Sequence, residues 1–144
     1  MLEARTLRIL VVTDKAEPVA GLLAAIQHRA ATGDVQFRVI VLNPAAAEIH
    51  LLHPDRHAKA TEAERVLRRA LPDLTMAAGS TVIGSVSVRH EPMDAIEETI
   101  LSEPIDEIML ALPEHPVSAW LHQDLQHRLQ HFGLPVTVVY PQPA

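Results

Sequence analysis

Two hydrophobic patterns alternate along the chain. Leu7-Arg8-Ile9-Leu10-Val11-Val12-Thr13 is a short, nearly continuous apolar run rich in β-branched residues. Such a run predicts a strand buried on both faces. Glu17 and Pro18 then read as a first helical turn, where proline is tolerated. Val19, Leu22, Leu23, Ile26 and Ala30 follow at helical spacing, with Gly33 as the stop. Phe37 to Leu42 is a second strand, ended by Asn43-Pro44. Residues 45–56 carry no clear period. From about His57 a helix runs through Ala60, Ala63, Leu67, Ala70 and Leu71, with Glu62, Glu64, Arg65, Arg68 and Arg69 on its wet side. Pro72 is expected to end or kink it. From Thr81 to Arg89, Val82, Gly84, Val86 and Val88 alternate with Ile83, Ser85 and Ser87, which predicts a third strand. Pro92 opens a third helix with Met93, Ile96 and Ile100 on one face. Ile105 to Leu110 is a fourth strand. Val117, Leu121, Leu125, Leu129 and Phe132 make the stripe of a fourth helix closed by Gly133, and Val136 to Tyr140 is a fifth strand.

Strands alternating with helices of this length imply parallel crossovers. Right-handed crossovers place helices on both sheet faces, which requires strands buried on both sides. The expected fold is a doubly wound, three-layer α/β/α sandwich of about five parallel strands. With 144 residues, 48% of them hydrophobic, the chain reads as one domain across residues 1–144. In such sheets a ligand sits beyond the carboxyl ends of the strands, where the strand order reverses. The loops that matter are then Asp14 to Pro18, Asn43 to Arg56, His90 to Pro92 and Ala111 to Pro116.

Composition narrows the function. There is no cysteine, hence no disulfide framework, zinc ribbon or thiol nucleophile, and a reducing cytoplasmic setting fits. No apolar run approaches the ~18–20 residues that cross a bilayer, and no signal peptide is visible at the start. A net charge of −6 and the scarcity of aromatic residues, one Trp, one Tyr and two Phe, argue against a nucleic-acid partner.

Four pieces of the chain, in order, resemble the universal stress protein family. They are Ile9-Leu10-Val11-Val12-Thr13-Asp14, His90-Glu91-Pro92-Met93-Asp94-Ala95-Ile96, Ile108-Met109-Leu110-Ala111 and Leu134-Pro135-Val136-Thr137-Val138-Val139. The first is similar to the family's first strand and its terminal acid, the second to its Gly-x-Pro-x-x-Ala-Ile helix entry. The third is similar to its Ile-Val-Met-Gly strand end and the fourth to its final Cys-Pro-Val-Leu-Val-Val strand. The resemblance implies that Asp14 stands where the family contacts adenine with an acid. It also implies that Val41 holds the equivalent backbone position on the second strand.

ATP-binding members carry Gly-x-x-Gly after the fourth strand and, about nine residues later, Gly followed by Ser or Thr. Here Ala111, Glu114, Asp124 and Leu125 occupy those places. A phosphate nest needs converging backbone N–H groups, often from residues without a Cβ. Pro113 and Pro116 each lack that donor. Glu114 and Asp124 add negative charge, which repels an anion at ~4 Å by about 1 kcal/mol in water. Triphosphate binding in the family's manner is therefore expected to be lost, while an adenine-sized cavity near Asp14 can survive.

The remaining candidates carry competing readings. Asp14 either accepts a hydrogen bond from a ligand or caps the first helix. His90 and His115 fall at predicted strand carboxyl ends, where each could contact an anionic ligand or serve as a base. His50, His53 and His57, with Asp55 among them, read as solvated loop residues. His127 and His131, spaced i, i+4, read with His122 as a polar helix surface, since two ligands do not close a zinc site. The nine histidines also make charge, and with it association, sensitive to acidification through about pH 6. No nucleophile elbow, Walker loop, dinucleotide fingerprint or His-Glu-x-x-His motif is present.

The expected protein is a cytoplasmic, non-enzymatic homodimer of regulatory or binding type, with no cofactor, no membrane and no nucleic acid. Its subunits would pair through Val136 to Tyr140, an edge strand that needs a partner or a cover. The ligand-binding candidates are Asp14, Val41, His90, Ala111, Glu114 and His115. The alternatives are a sensor of an adenine nucleotide or other small ligand, a module derived from a transporter-associated domain, and an enzyme of related layout.

Overall fold

A computed structural model describes residues 6–42, 56–88, 92–111 and 127–139. Five strands, β1 (Leu7–Thr13), β2 (Val35–Val41), β3 (Ile83–Val86), β4 (Glu107–Ala111) and β5 (Val136–Val138), alternate with α1 (Ala20–Ala30), α2 (Arg56–Ala78) and α3 (Pro92–Ser102). The strands form one parallel sheet in the order β3-β2-β1-β4-β5, which is the doubly wound arrangement expected.

The order explains the layers. The chain steps from β1 to β2 to β3 in one direction, then returns past β1 to β4. With every crossover of the same hand, that reversal moves the helices from one face to the other. One face buries Ile9, Val11, Phe37, Val39 and Val41 under Leu22 and Ile26 of α1 and Ala63, Leu67 and Leu74 of α2. The other buries Leu10, Val12, Ile40, Ile108 and Leu110 under Met93 and Ile96 of α3 and Leu129. Alternate residues of β1 thus serve opposite cores, so a one-face polar pattern is impossible there. Ile9, Leu10, Val11 and Val12 are all fully buried.

Several boundaries differ from the sequence pattern. α1 starts at Ala20 rather than Glu17, with Val19 as an N-cap that makes no side-chain hydrogen bond. α2 does not end at Pro72; it continues to Ala78 with that proline inside it. Leu74 and Ala78 prolong the buried stripe of Ala60, Ala63, Leu67 and Ala70, and their burial outweighs the lost donor. Gly79, at φ 72°, supplies the left-handed residue that closes the helix, its N–H bonded to the Thr75 carbonyl at 2.9 Å. β3 is four residues long, shorter than Thr81 to Arg89. The fourth helix is described only over residues 127–129 and a 3-10 turn, Gln130–Phe132, closed by Gly133. β5 ends at Val138, and Tyr140 lies outside the described residues.

Gly84 lets α2 approach the sheet closely. A Cβ there would lie 3.2 Å from both the Leu67 and Leu71 Cδ2 atoms. Two ion pairs fasten the layers. Arg29 of α1 reaches Glu107 of β4 through Nη2 at 2.6 Å and Nε at 3.2 Å. Arg38 of β2 donates through Nε to both Glu103 oxygens at 3.2 Å. Among the described residues no helix is long and apolar enough to cross a membrane.

Candidate functional site

Strand register assembles the site. Thr13, the last residue of β1, pairs with Val41 of β2 on one side and Ala111 of β4 on the other. The strand order reverses between β1 and β4, so their carboxyl ends border the place where such sheets bind ligands. Asp14, Val41 and Ala111, far apart in sequence, therefore stand together at that crevice. Val41 is fully buried and Ala111 is 8% exposed. His90, Glu114 and His115, and most of the loops from Asn43, from His90 and after Ala111, lie outside the described residues.

The backbone beneath the crevice is already engaged. The Thr13 carbonyl accepts the Leu42 N–H at 2.8 Å, and the Val41 carbonyl accepts the Ser87 N–H at 2.8 Å. The Val41 carbonyl keeps a second lone pair, so it can still accept one donor. Thr13, 4% exposed, accepts the Lys15 N–H on its Oγ1 at 3.2 Å. That short turn bends the chain directly after the strand and fixes the start of Asp14. From sequence Thr13 reads only as strand; a hydroxyl residue ending a strand before Asp is the signal for this turn.

Asp14 is half-buried, and its Oδ1 is fully enclosed. It is not the N-cap of α1, because that place belongs to Val19. Of the two readings open from sequence, the capping one is thus overturned. A half-buried carboxylate at the carboxyl end of β1 suits recognition of an amine or hydroxyl. Nothing in the described part of the crevice supplies a nucleophile with a base. Among the described residues, no three His, Asp or Glu side chains cluster to hold a metal ion.

A second concavity, about 200 Å³, lies between α2 and β3, lined by Leu67, Leu71, Gly84, Ser85 and Val86 with Glu64 and Arg68. It opens beside the far edge of the sheet, two strands from the order reversal.

An all-parallel five-stranded sheet whose order reverses between β1 and β4 is a doubly wound α/β fold. Among solved structures, the chain is similar to the universal stress protein from Archaeoglobus fulgidus in complex with dAMP. The TM-score is 0.59 at 15% identity, over 92% of this chain and 97% of that one. A second structure of universal stress protein from Archaeoglobus fulgidus matches at 0.59 and 14%, over 92% and 93%. A hypothetical protein matches at 0.54 and 17%, over 92% and 94%. The chain therefore has the universal stress protein fold, as the four resembling segments led us to expect. No protein-family model matches the sequence, and no curated protein matches it.

Proposed function

We propose that this chain is a universal stress protein-like regulatory and binding protein of the type that does not bind ATP, acting as a homodimer and not as an enzyme. The observation that carries this reading is Ala111. It ends β4 beside Thr13, at the place of the family's first phosphate-loop glycine, and is buried there. Pro113, Glu114 and Pro116 follow it in sequence. Two lost amide donors and an added carboxylate disfavour a polyphosphate on both steric and electrostatic grounds. Calorimetric titration with Mg-ATP is expected to show no binding tighter than about 1 mM, whose free energy is only about −4 kcal/mol. Micromolar binding refutes the proposal, as does ATP turnover that Asp14→Ala abolishes while leaving the fold intact. A chain without cysteine fits a cytoplasmic setting.

The homodimer reading rests on β5, which ends the sheet. The Pro135 carbonyl and the Val139 N–H bond to β4. By strand alternation, the N–H and C=O of Val136 and Val138 face away from the sheet, free to pair. Val138→Pro removes one outward donor and leaves the β4–β5 ladder intact. Light scattering on that variant is expected to show monomer where the wild type shows dimer. A dimer unaffected by Val138→Pro overturns this choice of interface.

A second reading keeps the crevice as a sensor for an adenine nucleotide or similar compact ligand. The place of half-buried Asp14 directly after β1 supports it, as does dAMP bound to a protein of the same fold. It predicts a saturable thermal shift with adenosine, AMP or dAMP that Asp14→Asn reduces. Absence of any shift at millimolar ligand excludes it.

A further inference from the structure

We propose that His127 and His131 form a two-imidazole chelate for a borderline divalent transition ion, copper(II) and nickel(II) ahead of zinc(II), with water in the remaining positions. Residues 127–129 are helical and pass directly into the 3-10 turn Gln130–Phe132. Leu129, midway between the two histidines, is 0% exposed and seated in the core under the sheet. Two residues along a helix is roughly 200° of rotation. Both imidazoles therefore project from the side opposite Leu129, and both residues are exposed.

Their rings already meet edge to face, with centroids 6.1 Å apart and planes at 86°. A metal–imidazole nitrogen bond is about 2.0–2.1 Å, which puts a ligating ring's centre roughly 3 Å from the ion and two such centres at most about 6 Å apart. Only trans ligands reach that limit; a chelating pair at cis or tetrahedral angles holds its ring centres about 4.5–5 Å apart, so the two exposed rings close by about 1 Å or more, which side-chain rotation on an open surface allows. The i, i+4 spacing is the one by which helices present two histidines to a metal. Imidazole suits copper, nickel and zinc, and the copper ion binds a given nitrogen set most tightly.

Among the described residues no third His, Asp or Glu joins the pair, so the site is open rather than a closed structural shell. Exposed Arg128 lies next in sequence to His127 and places positive charge nearby, which favours a weak, exchangeable site over a tight one. An ion held there ties the last α-helical residues to the 3-10 turn. It thereby stiffens the approach through Gly133 to β5.

The test is calorimetric titration of the full chain with copper(II) and with nickel(II), repeated on His127→Ala, His131→Ala and the control His28→Ala, an exposed histidine on α1. Loss of either chelating imidazole is expected to weaken the tightest step about a hundredfold, as loss of one arm of a bivalent contact does. His28→Ala is expected to change nothing. All three positions are exposed, so the variants keep their fold, which circular dichroism verifies. Unchanged binding in the His127→Ala/His131→Ala double variant overturns the site. So does an equal loss in His28→Ala, or a wild-type titration with no binding step.

Discussion

Replacing Arg38 by methionine tests how the polar clamp on the α3 face is held. Arg38 stands in β2 on the same side as Ile40 and Leu42, which face α3. Its guanidinium donates to both Glu103 oxygens, to the Val39 carbonyl at 2.8 Å and to Ser85 Oγ at 2.8 Å. The side chains of the pair are 16% and 30% exposed. Methionine keeps the apolar stem and removes every donor, so Glu103 loses its counter-charge and Val39 and Ser85 lose a partner. Breaking a fully buried pair costs about 3–5 kcal/mol and an exposed one under about 1, so this half-buried pair places Arg38→Met near 2 kcal/mol. Urea unfolding followed by circular dichroism reads the loss directly. The melting temperature is expected to fall by roughly 4–8 °C for a chain of this size. Glu103→Gln should cost less, about 1 kcal/mol, because an amide still accepts from the guanidinium. The double variant should be milder than the sum by about 1 kcal/mol. Wild-type stability in Arg38→Met, or additivity within a few tenths of a kcal/mol, refutes the clamp.

Other outcomes follow from single positions. Pro72→Ala restores an N–H inside α2 at an exposed site and should raise stability by about 1–2 kcal/mol, the helix gain being partly offset by a freer unfolded chain; a lower melting temperature contradicts this. Gly79→Ala forces a Cβ at φ 72° and should cost about 1–2 kcal/mol in the same assay. Thr13→Val keeps the shape of the strand end but removes the acceptor for Lys15 N–H; it should lower stability by about 1 kcal/mol and weaken any ligand shift that depends on Asp14. The Arg29 pKa is raised, first by its hydrogen bond to Glu107. A raised basic pKa gives stability that is complete below the unfolded-state value and is lost only as pH rises through the folded one. The difference between wild type and Arg29→Gln should therefore stay constant from about pH 7 to 10, measured by urea unfolding.

What could be read from sequence was whatever leaves a one-dimensional mark. β1 was legible because burial on both faces requires a nearly continuous apolar run. The crevice was legible because topology alone places it beyond the strand ends. At Pro72 the sequence left open an end or a kink; α2 does not end there, because the apolar stripe resumes at Leu74 and Ala78. The length of β3 depends on its partner, since β2 ends at Val41, opposite Val86. The capping reading of Asp14 turned on where α1 begins, which Val19 and not Asp14 marks. The Arg29–Glu107 and Arg38–Glu103 pairs span 78 and 65 residues, distances over which no periodicity carries information.

The lone free side of β5 has a geometric corollary. Within the sheet every strand points the same way, but a copy joined across that border by a twofold axis must run the opposite way. In the homodimer proposed above, the result would be a continuous ten-stranded surface whose polarity flips at its midline. Each half would then open its own mouth toward the opposite pole of the particle. Two ligands, or two partners, would be met on opposite sides without touching, and any communication between them would have to pass through the seam.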